Sequence, residues 1–397
     1  MTTTWRDEGL VLKGLNGSNP LGFLAALGTL RSLSIAWHER QVLMTWRKID
    51  TWRPVIHGAD SGDGAEERVL SAIGDFLSNS SCAPAKVDRN QEEVEAKREE
   101  RRFRDSKKQF DTQIKRIKET LKAEGLRGRK ASEETDRRVK NQLAELEREV
   151  AMLRAKWRTA IERSAPARHV SLGQNLSVTS NEFRAFVGGA ADAATLVDRT
   201  FADFAASYGC EVLVERKQDR IQSTPFCFIT GSGHQHFLET MANLMEQTRR
   251  EHLQEALFGR WRYENDGLCM RWDPSDAREY ALQWQNPSDY AAKTVWGANR
   301  LAVEALPFFP AFPDARRLAT TGFSRREGVD EFTWPVWTRP INSDTVRSLV
   351  ARAEFQQPRP DRRVLGALGV GELYRSRRIQ LGNPPLVKIS FSPAECV

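Results

Sequence analysis

Long apolar runs, paired cysteines and catalytic signatures are what this chain of 397 residues lacks. Its longest apolar run, Leu21 to Leu30, is about half of the ~20 residues that a membrane helix needs. The amino terminus, Met1-Thr2-Thr3-Thr4-Trp5-Arg6-Asp7-Glu8, has no basic region followed by an apolar stretch and does not read as a signal peptide. The 5 cysteines (Cys82, Cys210, Cys227, Cys269, Cys396) are odd in number and include no C-x-x-C pair. That argues against a disulfide framework and points to a reducing compartment. These absences predict a soluble, cytoplasmic protein with no membrane partner. There is also no H-E-x-x-H, no G-x-x-x-x-G-K-[ST], no G-x-S-x-G and no tight acidic cluster of the kind that holds paired metals. No catalytic residue, metal site or cofactor is therefore predicted, although a site assembled from dispersed acidic residues stays open.

An excess of one charge sign is nearly absent outside one segment. The net charge is +7. Between Asp88 and Arg163 stand 23 Lys and Arg against 17 Asp and Glu, while the rest of the chain has 37 against 36. A second basic stretch, Arg352 to Arg378, has 7 Arg against Glu354, Asp361 and Glu372. Concentrated positive charge suits a polyanion or an acidic partner; the bland reading is a solvated charged helix.

What the sequence does have is aromatic residues, 11 Trp and 19 Phe among them. They crowd the stretch Arg271 to Trp337 together with proline, and large rings bury large areas. This stretch reads as the core of the main body. Asp273 before Pro274 is pushed to extended geometry, and Ser275-Asp276 read as the cap of a short helix through Ala281. A further helix is predicted over Gly297 to Leu306. Upstream, Asn19-Pro20 is a helix start, with Asn as cap and Pro at the first helical position. The helix after it, from Leu21, is apolar on nearly all sides and should be buried.

From Gln91 the composition changes abruptly. Phe103, Phe110, Ile114, Ile117 and Leu121 step by seven, four, three and four residues. Val139, Leu143, Leu146, Val150, Leu153 and Trp157 continue in steps of four and three. Such heptad spacing predicts an antiparallel helical hairpin, a coiled coil, over residues 91–163. Its turn is Gly125 to Lys130, and Ser132 is the expected cap of the second arm. The fold class is α+β: a mixed globular body with this hairpin inserted. Residues 1–87 form the first part of the body, 88–165 the insertion, and 166–397 the rest. That last part is expected to be mostly helical, with a Trp/Pro-rich core and an Arg-rich tail. Single helices are expected over His234 to Leu257, Asp344 to Phe355 behind a Ser343 cap, and Leu365 to Arg377. A strand is expected over Phe226 to Thr230.

Two turns carry backbone amides that suit an anion: Asn16, Gly17, Ser18 and Asn19 before the first helix, and Gly231, Ser232 and Gly233 before a later one. Neither has the lysine or the spacing of a nucleotide loop, and a well-made helix cap is the simpler reading of the first. His234 and His236 lie two apart on one predicted helix, point away from each other and do not make a metal pair. For nucleic-acid contact the candidates are Arg127, Arg129 and Lys130 at the hairpin tip, and Arg359, Arg362, Arg363, Arg375, Arg377 and Arg378 in the tail. Arginine suits phosphate because its planar fork donates two hydrogen bonds and stays charged.

Four segments, Gly14 to Gly28, Gly231-Ser232-Gly233-His234-Gln235, Arg271-Trp272-Asp273-Pro274 and Gly297-Ala298-Asn299-Arg300-Leu301-Ala302, resemble a protein family of type I-G (formerly I-U) CRISPR loci, akin to the large subunit of the Cascade surveillance complex. The resemblance covers most of the chain except the hairpin. It implies a bacterial, non-catalytic subunit of an RNA-guided effector in antiviral defence, with guide RNA, target DNA, other CRISPR effector subunits and a helicase-nuclease as partners. Sequence would be read by guide pairing, and the protein would hold DNA or RNA phosphates. Two other classes stay open on the residues alone. One is a protein-interaction scaffold whose hairpin docks a partner without touching nucleic acid; the other is a nuclease or hydrolase with a dispersed site.

Overall fold

The structure, a computed structural model, describes residues 9–59, 62–79, 91–126, 128–164, 172, 175–195, 198–215, 219–228, 236–275, 293–381 and 388–397. The fold is α+β, and the chain divides into two compact units. One joins residues 1–85 to 172–397; the other is residues 86–171. Among the described residues no helix is long and apolar enough to cross a membrane.

The first unit opens with β1 (Leu10–Val11) and α1 (Pro20–Ala36). Asn19 caps α1 through its side chain, which accepts from the Gly22 amide at 3.1 Å, and Pro20 occupies the first turn. Every residue from Pro20 to Leu33 is buried, so α1 is a core helix up to its last turn, where Ile35 is exposed. Next come β2 (Leu43–Lys48), β3 (Trp52–His57) and α2 (Ala65–Asn79). Strand β3 lies between β1 and β2, antiparallel to both.

The second unit holds α3 (Gln91–Ala123), α4 (Gly128–Gln142) and α5 (Ala144–Ser164). Helix α3 packs along α5, and Arg138 joins Glu124 to Glu134 at 2.7 Å and 3.1 Å across the turn between α3 and α4. The heptad positions Phe103, Phe110, Ile114, Ile117, Val139, Leu143, Leu146 and Val150 are half-buried, and Leu121 and Leu153 are buried. Ser132 is not a cap: α4 begins at Gly128, a glycine at φ 61°, and Ser132 lies inside it. The return arm is interrupted at Leu143 instead of running as one helix.

The first unit resumes with α6 (Ser180–Ala193), α7 (Thr200–Tyr208), β4 (Gly209–Val214), β5 (Ile221–Ser223), α8 (Phe237–Gln247) and α9 (Arg250–Phe258). The helix expected over His234 to Leu257 is thus two, parted at Thr248-Arg249, where Thr248 and Arg249 take extended backbone. Phe226 to Phe228 is not a strand; its rings serve the core from an irregular segment. Strands β6 (Asn265–Asp266) and β7 (Lys293–Thr294) pair before α10 (Trp296–Val303), and the expected helix after Ser275 lies outside the described residues.

The region after Pro310 departs from the expectation that residues 166–397 are mostly helical, because strands dominate it. It contains β8 (Ala311–Asp314), β9 (Arg317–Thr320), β10 (Phe323–Arg326) and β11 (Val329–Trp337), then α11 (Ser343–Val350), α12 (Arg362–Ala367), β12 (Val370–Leu381), β13 (Lys388–Phe391) and β14 (Glu395–Cys396). Strands β10 to β13 form one antiparallel sheet, and β14 pairs β12 at Tyr374 and Arg375. Aromatic and β-branched residues favour such a pleated, buried surface. Glu327 and Gly328, at φ 50° and 84°, make the two-residue turn between β10 and β11. Pro335 lies beyond the end of β10, where its missing N–H costs no ladder bond to that strand. The stretch predicted as helix from Leu365 to Arg377 is mostly β12, because pairing with β11 from Val370 to Arg377 overrides its local preference. Asn342, not Ser343, caps α11 by accepting from the Thr345 amide, and α11 ends at Val350.

The core joins distant parts of the chain. Phe332 packs on Phe226, Phe309, Phe323, Trp334 and Phe391, with centroids 5.1 to 5.7 Å apart. The indole N–H of Trp334 donates to the Gly17 carbonyl and that of Trp337 to the Met44 carbonyl, both at 2.8 Å. Helices α1 and α10 touch backbone to backbone. A Cβ on Gly28 would lie 1.7 Å from the Leu301 carbonyl oxygen, and one on Gly297 would lie 2.0 Å from that of His252. Only glycine permits these crossings.

Candidate nucleic-acid interface

The turn before α1 is held from within. Asn16 Oδ1 accepts from the Ser18 amide at 3.0 Å, the Ser18 hydroxyl at 2.9 Å and the Thr51 hydroxyl at 2.7 Å. The Gly17 amide donates to the Trp52 carbonyl at 2.8 Å, and the Asn19 amide to the Asn16 carbonyl at 3.1 Å. Asn19 Nδ2 donates to Asp273 Oδ1 at 3.0 Å. The amides of Gly17, Ser18 and Asn19 each have an internal acceptor, so none is open to an anion. The turn is a clasp between α1, β3 and the loop at Asp273. Gly231, Ser232 and Gly233 lie outside the described residues. Just after them, Asn175 caps α8 from a distant loop: its Oδ1 accepts from the Phe237 amide at 2.8 Å, and its Nδ2 is 3.1 Å from His236 Nδ1.

The remaining segments of the pattern also build structure. Asp273 is buried and accepts from Asn19, from the Ser275 amide at 3.0 Å and from the Tyr263 hydroxyl at 2.8 Å. Asn299 is buried, accepting from the Met270 amide at 2.9 Å and donating to Thr294 at 2.9 Å and the Val295 carbonyl at 3.0 Å. Behind them lies an enclosed ion cluster. Glu304 is fully buried and takes Arg31 on one oxygen at 2.6 Å and Arg300 on the other at 2.7 Å. Arg31 also stacks over Phe204 at 5.3 Å. A carboxylate gripped in this way is satisfied and walled off from any solvent-borne substrate.

The tail arginines fall into two groups. Arg375 is buried on β12. It donates to Thr333 and to the carbonyls of Phe355, Gln357 and Pro358, and burial pushes its guanidinium below the ordinary range. It ties the loop after α11 to the sheet and cannot also meet a phosphate, which corrects its place among the contact candidates. Arg377 is exposed but bonded to Glu331 at 3.1 Å. Arg378 is largely buried, 3.8 Å from Asp330 and stacked over Phe228 at 5.3 Å, and burial lowers its pKa against the pull of Asp330. The second group is Arg359, Arg362 and Arg363, at and before the start of α12, all exposed and without an ion-pair partner among the described residues.

At the α3–α4 turn, Arg129 is exposed and pairs with Glu133 at 2.8 Å. Lys130 is exposed with no partner among the described residues, and Arg127 lies outside them. The site candidates are therefore not brought together into one patch within either unit: the tail splits into a structural half on β12 and a solvated half near α12. Composition missed Arg316 and Arg317, which sit at the turn between β8 and β9 and face solvent without partners among the described residues. The Asp314-Ala315-Arg316-Arg317 run was a readable turn signal, but its pairing partner was not. Among the described residues no group of His, Cys, Asp and Glu could hold a metal ion. Comparison of the chain with protein-family models and with curated proteins finds no match to either.

Proposed function

We propose that the chain is a nucleic-acid-binding, non-catalytic subunit of a type I CRISPR RNA-guided surveillance complex of the Cascade kind. Its resemblance to a type I-G family in the four segments around α1, α8 and α10 supports this reading. The observation that carries it is the arginine cluster Arg359, Arg362 and Arg363, exposed beside the helix α12 and without an ion-pair partner among the described residues. Cations without acidic partners favour a polyanion, and counterion release then supplies affinity. In this reading residues 91–163 form an antiparallel helical hairpin whose tip, with Arg129 and Lys130, holds further phosphates. Guide RNA pairing reads the target, and the protein holds backbone and assembles with the other effector subunits and the helicase-nuclease.

The test is a salt titration. Fluorescent duplex and single-stranded DNA are titrated with the parent protein, with Arg359→Glu/Arg362→Glu/Arg363→Glu and with Arg129→Glu/Lys130→Glu. The slope of log affinity against log salt should flatten by about one for each phosphate that the variant no longer holds, with melting unchanged. Unchanged slopes in both variants would overturn the reading. Failure to associate with a protein partner, with DNA affinity intact, would support the protein scaffold instead.

A further inference from the structure

Helix α3 carries two parallel lines of residues with the same period. Phe103, Phe110 and Ile117 step by seven and are half-buried, and α3 packs along α5. Arg101, Lys108, Lys115 and Lys122 also step by seven, and all four are exposed. Two residues turn an α-helix by about 200°, so the second line runs along the side opposite the first. From Arg101 to Lys122 it extends about 32 Å at the usual rise per residue. Over this span stand 9 Lys and Arg against Asp105, Asp111 and Glu119. Arg102 pairs with Glu99 at 3.0 Å and Arg104 with Glu100 at 2.5 Å, but none of the four line residues has an ion-pair partner among the described residues.

A helix side that only meets water needs no such surplus. Helix α4 has the ordinary pattern: Arg129 pairs with Glu133, and Glu134 holds Arg137 and Arg138. The exposed residues of α5 are mixed as well, with Glu145, Arg148, Glu149 and Met152 among them. On α3, by contrast, Arg104 and Lys108, Lys115 and Lys118, and Lys118 and Lys122 stand three or four apart with like charge. Such pairs weaken a helix. Asp105, Asp111 and Glu119 are too few to cancel the surplus, and none of them occupies the line. A row of cations that weakens the bare helix is offset when a polyanion covers it.

We infer that this side of α3, from Arg101 to Lys122, docks along the phosphate backbone of duplex DNA. The inference rests on the nucleic-acid reading above and extends the contact of the helical unit from its tip along the flank of α3. The row is about as long as one turn of B-DNA, roughly 34–36 Å. A stiff row of that length matches a stiff polyanion, and duplex DNA supplies a negative charge every ~1.7 Å along its axis. Lys108, Lys115 and Lys122 meet phosphate as point charges on flexible stems and carry no code for bases. The contact is therefore independent of base sequence.

The test uses the full chain and a fluorescent DNA duplex of roughly 20 base pairs, about two turns, titrated across salt. The line variant is Arg101→Gln/Lys108→Gln/Lys115→Gln/Lys122→Gln. Glutamine keeps the helix propensity of lysine and removes the repulsion, so the melting temperature should hold or rise. A control with the same charge change on α4 and α5, Lys140→Gln/Arg148→Gln/Arg154→Gln/Lys156→Gln, reports net charge alone. The slope of log affinity against log salt should flatten by about three to four in the line variant, about 0.9 for each phosphate let go, and by less than about one in the control. Lys108→Gln/Lys115→Gln should flatten it about half as much as the line variant. Equal flattening in the line variant and the control overturns the inference, because net charge then suffices. So does flattening confined to a duplex RNA of the same length. Loss of polyglutamate binding with the DNA slope intact also overturns it and assigns this side of α3 to an acidic protein. An unchanged slope in the line variant, beside a flattened one in Arg359→Glu/Arg362→Glu/Arg363→Glu, sinks the docking on α3 and leaves the proposed function standing. A parent protein that binds no duplex at low salt sinks both.

Discussion

The two units are stabilised by different means. In the first, charges are buried with partners: Glu304 lies between Arg31 and Arg300, and backbone meets backbone at Gly28 and Leu301. In the second, ion pairs face water, as between Arg129 and Glu133 or Arg137 and Glu134, and few apolar side chains, Leu121 and Leu153 among them, are buried. Exposed pairs contribute little each, whereas breaking a buried pair strands a charge. The first unit should therefore be brittle to single substitutions and the second tolerant of them.

Gly28→Val is the hardest challenge to that contrast. The added carbons would collide with the Leu301 carbonyl, a backbone atom that cannot rotate away. A loss of about 4 kcal/mol or more is expected in urea unfolding, and a milder loss would show that α1 and α10 can slide apart. Glu304→Ala comes next. With its shared carboxylate gone, the cluster around Arg31 and Arg300 should cost roughly 3–5 kcal/mol, read from the same denaturation curve. Leu121→Ala carries the comparison into the helical unit. Leu121 is buried there, so a loss of roughly 2 kcal/mol is expected. It should appear as earlier hydrogen exchange of α3 and α5 while α1 and α10 stay protected; equal loss of protection in all four would mean that the units melt as one.

The smallest effect is acid sensitivity in the first unit. Glu372 on β12 accepts from Lys48 of β2, Trp52 of β3 and the Tyr374 hydroxyl. Burial works to raise its pKa, but these three donors outweigh it and hold the group below its ordinary 4.5. A depressed carboxylate contributes stability above its ordinary pKa and loses it as pH falls through the folded value. Stability should thus decline below about pH 4.5, and Glu372→Gln should flatten that decline while lowering stability at neutral pH. Parallel slopes for the two proteins would remove Glu372 from the acid response.

Local chemistry made part of this readable in the sequence. The Asn19-Pro20 start of α1 needs only neighbouring residues. The described apolar heptad positions are half-buried or buried, but Glu99, Ser106 and Thr135 are buried as well, and an apolar period does not reveal them. The sheet was not readable. Phe332 pairs with Ser376 and Trp334 with Tyr374, partners some forty residues away that no window of helix-like charge reveals. The same blindness misplaced Arg375, whose acceptors are carbonyls around Phe355 and Gln357 brought near only by the strand. The Asn16–Asn19 turn looked like an anion cradle because its amides' partners, Trp52 among them, arrive from another strand.

The clasp of α1 against α10 sets a timetable for synthesis. Arg31 and its buried acceptor Glu304 are 273 residues apart. At about 5–20 residues per second, a ribosome adds the later partner roughly 15–55 s after the earlier one. For that interval the apolar helix α1 lacks the surface that will cover it, and the growing chain must carry it exposed. Holding chaperones that recognise short apolar helices would find their substrate here, at residues 20–33, and should release it only when the α10 segment has left the tunnel.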